Sequence, residues 1–99
     1  MIDITPQELA LVQQLIHTAF PDVEARVFGS RYSGTVKPYS DLDIVLVGED
    51  KLDWLQVSRL REAFSESTLP YRVDLLDWYA ISPTFQQVIM QGYAVIPEN

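Results

Sequence analysis

From Asp41 to Val47 the chain alternates so regularly that an extended strand is the expected structure. Leu42, Ile44 and Leu46 fall on one face, and Asp41, Asp43, Val45 and Val47 on the other. Gly48-Glu49-Asp50 breaks this run, and a helical pattern follows to about Ser65, with Trp54, Val57, Leu60 and Phe64 as its apolar stripe. A further strand is expected over Tyr71 to Leu76, with Arg72, Asp74 and Leu76 on one face. Strand, helix and strand in that order form a crossover of the length that two neighbouring strands require. This unit limits the chain to an α/β arrangement with helices packed on a small sheet.

The flanking segments extend the same plan. Thr5-Pro6-Gln7-Glu8 reads as a capping box with proline at the first helical position, and Ile4 and Leu9 have the spacing of a hydrophobic staple. Leu9, Val12, Ile16 and Ala19 then form one helix face, which Pro21 ends. Val23 to Phe28 alternates as a strand, with Val23, Ala25 and Val27 opposed to Glu24, Arg26 and Phe28. Gly29-Ser30 ends it, and a short helix or turn followed by a loop with Pro38 is expected from Arg31 to Ser40. Ser82-Pro83 opens a last helix running to Gly92, and Tyr93 to Ile96 reads as a short closing strand. The expectation is an α/β (α+β) fold: one domain over residues 1–99, with a mixed sheet of three to four strands flanked by about four helices.

Composition narrows the function classes. The net charge of −7 argues against a surface that coats nucleic acid, because such binding depends on neutralising phosphates with Lys and Arg. An acidic protein that handles a nucleotide must bring metal ions or a partner's basic groups to the site. With no cysteine, disulfides and thiolate metal sites are excluded. No apolar run approaches the roughly 18 residues of a membrane span, and Met-Ile-Asp-Ile-Thr-Pro does not read as a signal peptide. A cytoplasmic location is the default expectation.

The chemistry gathers between Gly29 and Asp43. A Gly-Ser turn is followed by ten residues and then by two aspartates one residue apart, Asp41 and Asp43. On a strand, carboxylates with that spacing share a face, their Cα atoms about 6.6 Å apart. They can embrace a pair of hard divalent cations, which lie about 3.5–4 Å apart in two-metal phosphoryl-transfer sites. The Gly-Ser turn offers backbone N–H groups and a hydroxyl to nucleotide phosphates. Asp74, from the neighbouring strand, adds a third carboxylate. Three close negative charges would repel by several kcal/mol at an effective dielectric of about 20, so such a cluster suits a site where magnesium sits. Taken singly, a Gly-Ser at a strand end is usually a turn and an Asp-x-Asp is common on exposed strands. Their joint spacing and strand context favour the functional reading.

Phe28-Gly29-Ser30-Arg31, followed by Pro38-Tyr39-Ser40-Asp41-Leu42-Asp43-Ile44, resembles the signature of the DNA polymerase β-type nucleotidyltransferase superfamily. Within it, the chain is most similar to the minimal nucleotidyltransferases (MNT) that pair with HEPN partners in toxin–antitoxin modules. Asp74 in Arg72-Val73-Asp74-Leu75-Leu76 matches the third family carboxylate, and the stretch from Ile81 to Ile96 resembles the branch's closing helix and strand. The resemblance implies that Gly29 and Ser30 hold the nucleotide's β- and γ-phosphates, with Arg31 as a further phosphate contact. It implies that Asp41 and Asp43 bind two Mg²⁺ ions (Mn²⁺ being the alternative), and that Asp74 holds the catalytic ion and helps deprotonate the acceptor. The implied activity is that of an antitoxin moving AMP from ATP to a tyrosine hydroxyl of a HEPN-type ribonuclease toxin encoded by an adjacent gene. With 99 residues taken up by the catalytic core, a partner is expected to supply the acceptor.

Two rival readings stand beside it: the same chemistry on a small molecule such as an antibiotic hydroxyl, or a non-catalytic antitoxin that acts by occlusion. Other residues have plainer expectations. His17 is expected at the surface near the end of the first helix, and Asp77 at a turn or helix entry. Trp54 and the Trp78-Tyr79 pair are expected in packing, with a partner surface as the alternative. Lys37 and Tyr39 are candidates for nucleotide contact or for plain loop solvation.

Overall fold

A computed structural model of the chain describes residues 3–34 and 40–97. Its elements run α1 (Pro6–Ala19), β1 (Glu24–Phe28), α2 (Ser30–Ser33), β2 (Leu42–Val47), α3 (Trp54–Ser65), β3 (Val73–Asp77), a 3₁₀ turn (Trp78–Ala80), α4 (Pro83–Met90) and β4 (Ala94–Val95). The capping box of α1 is formed reciprocally: the Glu8 N–H donates to Thr5 Oγ1 at 3.1 Å, and the Thr5 N–H donates to Glu8 Oε1 at 3.0 Å. Ile4 and Leu9 both pack against the core.

The four strands form one mixed sheet in the order β3-β2-β1-β4. β1 runs antiparallel to β2 and β4, while β2 and β3 are parallel and joined through α3. One face carries the main core. Val12 and Ile16 of α1 and Val57, Leu60 and Phe64 of α3 close over Val27, Leu42, Ile44, Leu46 and Leu75. The opposite face is covered by α4, whose Ile89 is buried with Phe28 and Val45. Phe85 of α4 meets the Phe28 ring edge-on, with centroids 5.9 Å apart. β2 is therefore buried on both sides at its centre, and Val45 is as inaccessible as Ile44.

Several boundaries differ from expectation. β1 begins at Glu24 instead of Val23, β3 runs from Val73 to Asp77 instead of from Tyr71 to Leu76, and α4 ends at Met90, short of Gly92. Arg72 still bonds to the sheet through its carbonyl, which accepts from the Leu42 N–H at 2.8 Å. The larger correction concerns Trp54, expected in the apolar stripe of α3 and found 76% exposed. It is the first helical residue, directly after the Asp53 cap, whose Oδ1 accepts from the Leu55 N–H at 3.0 Å. Leu52, two residues earlier, packs against the core instead. Among the described residues no helix is long and apolar enough to cross a membrane.

Candidate active site

Strand register builds the site. Asp43 pairs with Phe28 on the antiparallel side and with Asp74 on the parallel side, so Phe28, Asp43 and Asp74 form one row across three strands. Two carboxylates of the expected set are thus direct cross-strand neighbours. Asp41 lies one residue before β2.

Gly29 follows Phe28 and turns the chain sharply, with φ 75° and ψ −154°. That backbone region is essentially reserved for glycine. The missing side chain has a second use, since a Cβ built there would fall 2.3 Å from Asp43 Oδ2. The Asp43 carboxylate therefore lies directly against the turn. The Gly29 carbonyl accepts from the Ser33 N–H at 2.9 Å and the Tyr32 N–H at 3.1 Å, which winds Ser30 into the start of α2. Gly34, in the left-handed region at φ 83°, ends that turn of helix.

Electrostatics at this row are strained. Burial, and then the charges of Asp74 and Asp41, push the Asp43 carboxyl up to about 6. Asp41 Oδ2 is 3.5 Å from Arg72 Nη2, and the Arg72 side chain is largely exposed. A contact so long and so wet contributes little stability. Among the described residues no three histidine, cysteine or acidic side chains converge closely enough to hold a metal ion as they stand. The donor set nonetheless consists of carboxylate oxygens, the kind hard divalent cations take. The crowding that raises Asp43 is what a cation would relieve.

Arg31, expected to reach phosphate, is engaged elsewhere. It is 6% exposed, with Nε donating to the Ser40 carbonyl at 3.1 Å and Nη1 to the Asp3 carbonyl at 3.0 Å. Its guanidinium carbon lies 3.8 Å from the centroid of the Tyr71 ring. These contacts give Arg31 an internal role in this structure. The signal lay in Asp3 and Tyr71, both remote in sequence.

The remaining candidates fall outside the carboxylate row. Asp77 caps the 3₁₀ turn through the Tyr79 N–H and also accepts from the Leu52 N–H at 2.9 Å. His17 is exposed in the last turn of α1. Trp78 is part-buried, and with Tyr93 it flanks the Arg26 guanidinium, which also pairs with Glu24. Tyr79 is half-exposed. Lys37 and Tyr39 lie outside the described residues.

The family model described as polymerase beta, nucleotidyltransferase matches residues 13–99. The chain belongs to this nucleotidyltransferase family. A Haemophilus influenzae protein named probable protein adenylyltransferase MntA is 48% identical over 98 residues, covering 99% of this chain and 86% of its own length. Among solved structures, a toxin–antitoxin complex with AMP-PNP superposes at a TM-score of 0.77 with 24% identity, over 96% of this chain and 75% of that one. A tri-AMPylated Shewanella oneidensis HEPN toxin in complex with MNT antitoxin gives a TM-score of 0.63 at 22% identity, over 94% of this chain and 71% of that one. These two likenesses establish the nucleotidyltransferase fold.

Proposed function

We propose that this chain is a Mg²⁺-dependent protein adenylyltransferase that acts as an antitoxin, transferring AMP from ATP to a tyrosine hydroxyl of a HEPN-type ribonuclease toxin from an adjacent gene. The observation that carries the reading is the row of Asp43 and Asp74 set against the side-chain-free turn at Gly29. It occurs in a chain 48% identical to a protein named as an adenylyltransferase. The structural likenesses to toxin–antitoxin complexes, one with AMP-PNP and one with an AMPylated HEPN toxin, support the same partner and donor. The net charge of −7 suits a basic partner, and a cytoplasmic setting would supply both toxin and ATP.

In this reading Gly29 lets the nucleotide's phosphates approach the backbone, and the Ser30 hydroxyl donates to a phosphate oxygen. Asp41, Asp43 and Asp74 would hold the divalent cations, with Asp41 releasing its weak contact to Arg72. When bound, the cations supply Lewis-acid polarisation of the α-phosphate and neutralise charge on the departing pyrophosphate. Asp74 takes the acceptor hydroxyl's proton on a carboxylate oxygen. The hydroxyl oxygen then bonds to the α-phosphorus as the bond to the bridging oxygen breaks, leaving an AMP ester and pyrophosphate.

Chelation tests the cation requirement. EDTA should stop transfer to the partner, and Mg²⁺ or Mn²⁺ should restore it, since oxygen donors favour these ions over softer ones. Transfer that persists after exhaustive chelation would contradict the mechanism. Incubation with labelled ATP, Mg²⁺ and the adjacent gene's product tests the acceptor. Label on the partner supports the reading, label on a small molecule replaces it with the antibiotic-type activity, and tight binding without label replaces it with occlusion.

A further inference from the structure

Three segments bring the candidate site together: the turn at Gly29-Ser30, the approach to Asp41 and the approach to Asp74. One side chain touches all three. Arg31 belongs to the first segment, directly after Ser30. Its Nε donates to the carbonyl of Ser40, the residue before Asp41. Its guanidinium carbon lies over the ring of Tyr71, 3.8 Å from the centroid and three residues before Asp74. Nη1 reaches the Asp3 carbonyl, and the Asp3 N–H returns a bond to the Arg31 carbonyl at 2.9 Å. Tyr71 is itself held from behind, since its hydroxyl donates to Glu8 Oε1 at 3.0 Å in the first turn of α1.

We propose that Arg31 is the positioning residue of this site, setting the Asp41–Asp43 segment and the β3 approach in register with the Gly29 turn without touching the nucleotide. The inference rests on the transferase reading above. The geometry needs a guanidinium in particular. A planar fork can donate in two directions while its face stacks on an aromatic ring, whereas a lysine ammonium has neither the plane nor the span. At 6% exposure the group is enclosed by these contacts. Loss of the fork would leave the Ser40 carbonyl without that donor and loosen the approach to Asp41. Asp41, which follows Ser40 and lies before β2, would then lose the fixed place beside Asp43 and the Gly29 turn that an in-line displacement requires. Misplacement by about 1 Å can cost on the order of 100-fold in rate.

The test compares wild type with Arg31→Lys in the intact complex with its partner. It measures kcat and KM for ATP, binding of AMP-PNP by calorimetry, and folding by thermal melting. The expected result is a folded variant with kcat reduced by about 10- to 100-fold, and with KM for ATP and AMP-PNP affinity both within about threefold of wild type. A rise in KM with kcat preserved would make Arg31 a phosphate contact and overturn the proposal. An unchanged kcat would overturn it as well. So would a variant unfolded at the assay temperature, because that would assign the residue to global stability. A wild-type complex that transfers nothing from ATP would instead count against the transferase reading itself, so the two failures are distinguishable.

Discussion

Asp43→Asn is expected to abolish AMP transfer, by on the order of 1000-fold, while making the metal-free protein more stable at neutral pH. Both effects follow from one position. In the cross-strand row Asp43 touches the Gly29 turn and neighbours Asp74, so the substitution removes the central oxygen ligand of the proposed cation site. It also removes a carboxyl that burial and its acidic neighbours push up to about 6. A carboxyl raised in the folded state binds its proton more tightly there than in the unfolded chain. Its contribution to stability therefore falls as pH rises from the ordinary carboxylate range to about 6, and the penalty is complete above that. Thermal unfolding in EDTA should show the Asp43→Asn variant gaining on wild type across this window and matching it in acid. Near-wild-type turnover of the variant at saturating Mg²⁺ would contradict the assignment.

The second large effect is expected at Gly29. Gly29→Ala forces a side chain into backbone space reserved for glycine, and it sets a Cβ 2.3 Å from Asp43 Oδ2. The strain should cost about 1–3 kcal/mol, and displacement of the carboxylate about 100-fold in transfer rate. Gly34→Ala provides the contrast. Gly34 also has a positive φ, but nothing lies within 4 Å of the added Cβ. That variant should lose stability and keep most of its transfer activity, measured by denaturant melts and by labelled-ATP assay. Equal activity losses at the two glycines would show that strain alone, and not contact with Asp43, governs the turn.

The parts of this fold legible in the sequence are those governed by local rules. The Thr5–Glu8 cap is a four-residue pattern, and it forms as written. The alternation of β2 foretold which residues face α1 and α3, and the strand–helix–strand spacing foretold a neighbouring partner strand for β2. What could not be read depends on which surface arrives from elsewhere. Val45 shares its face with Asp43, but only the docking of α4 makes that face a second core. Trp54 satisfies the helical period of α3, yet the first turn of a helix buries nothing unless another element reaches it. Arg31 stands beside the Gly29-Ser30 turn, and its partners come from 28, 9 and 40 residues away, at Asp3, Ser40 and Tyr71. Sequence spacing could gather Gly29, Asp41, Asp43 and Asp74 as candidates. The direct packing of Asp43 on Gly29 is a property of register and backbone angle.

The central claim is that these carboxylates serve transfer of AMP to a partner protein. Intact-protein mass spectrometry on the purified complex with the adjacent gene's product, given ATP and Mg²⁺, tests it most directly. AMP-sized mass increments are expected on a partner tyrosine with the wild-type chain, and an unmodified but still bound partner with Asp43→Asn. A bound partner that stays unmodified with wild-type protein, ATP and Mg²⁺ all present would contradict it.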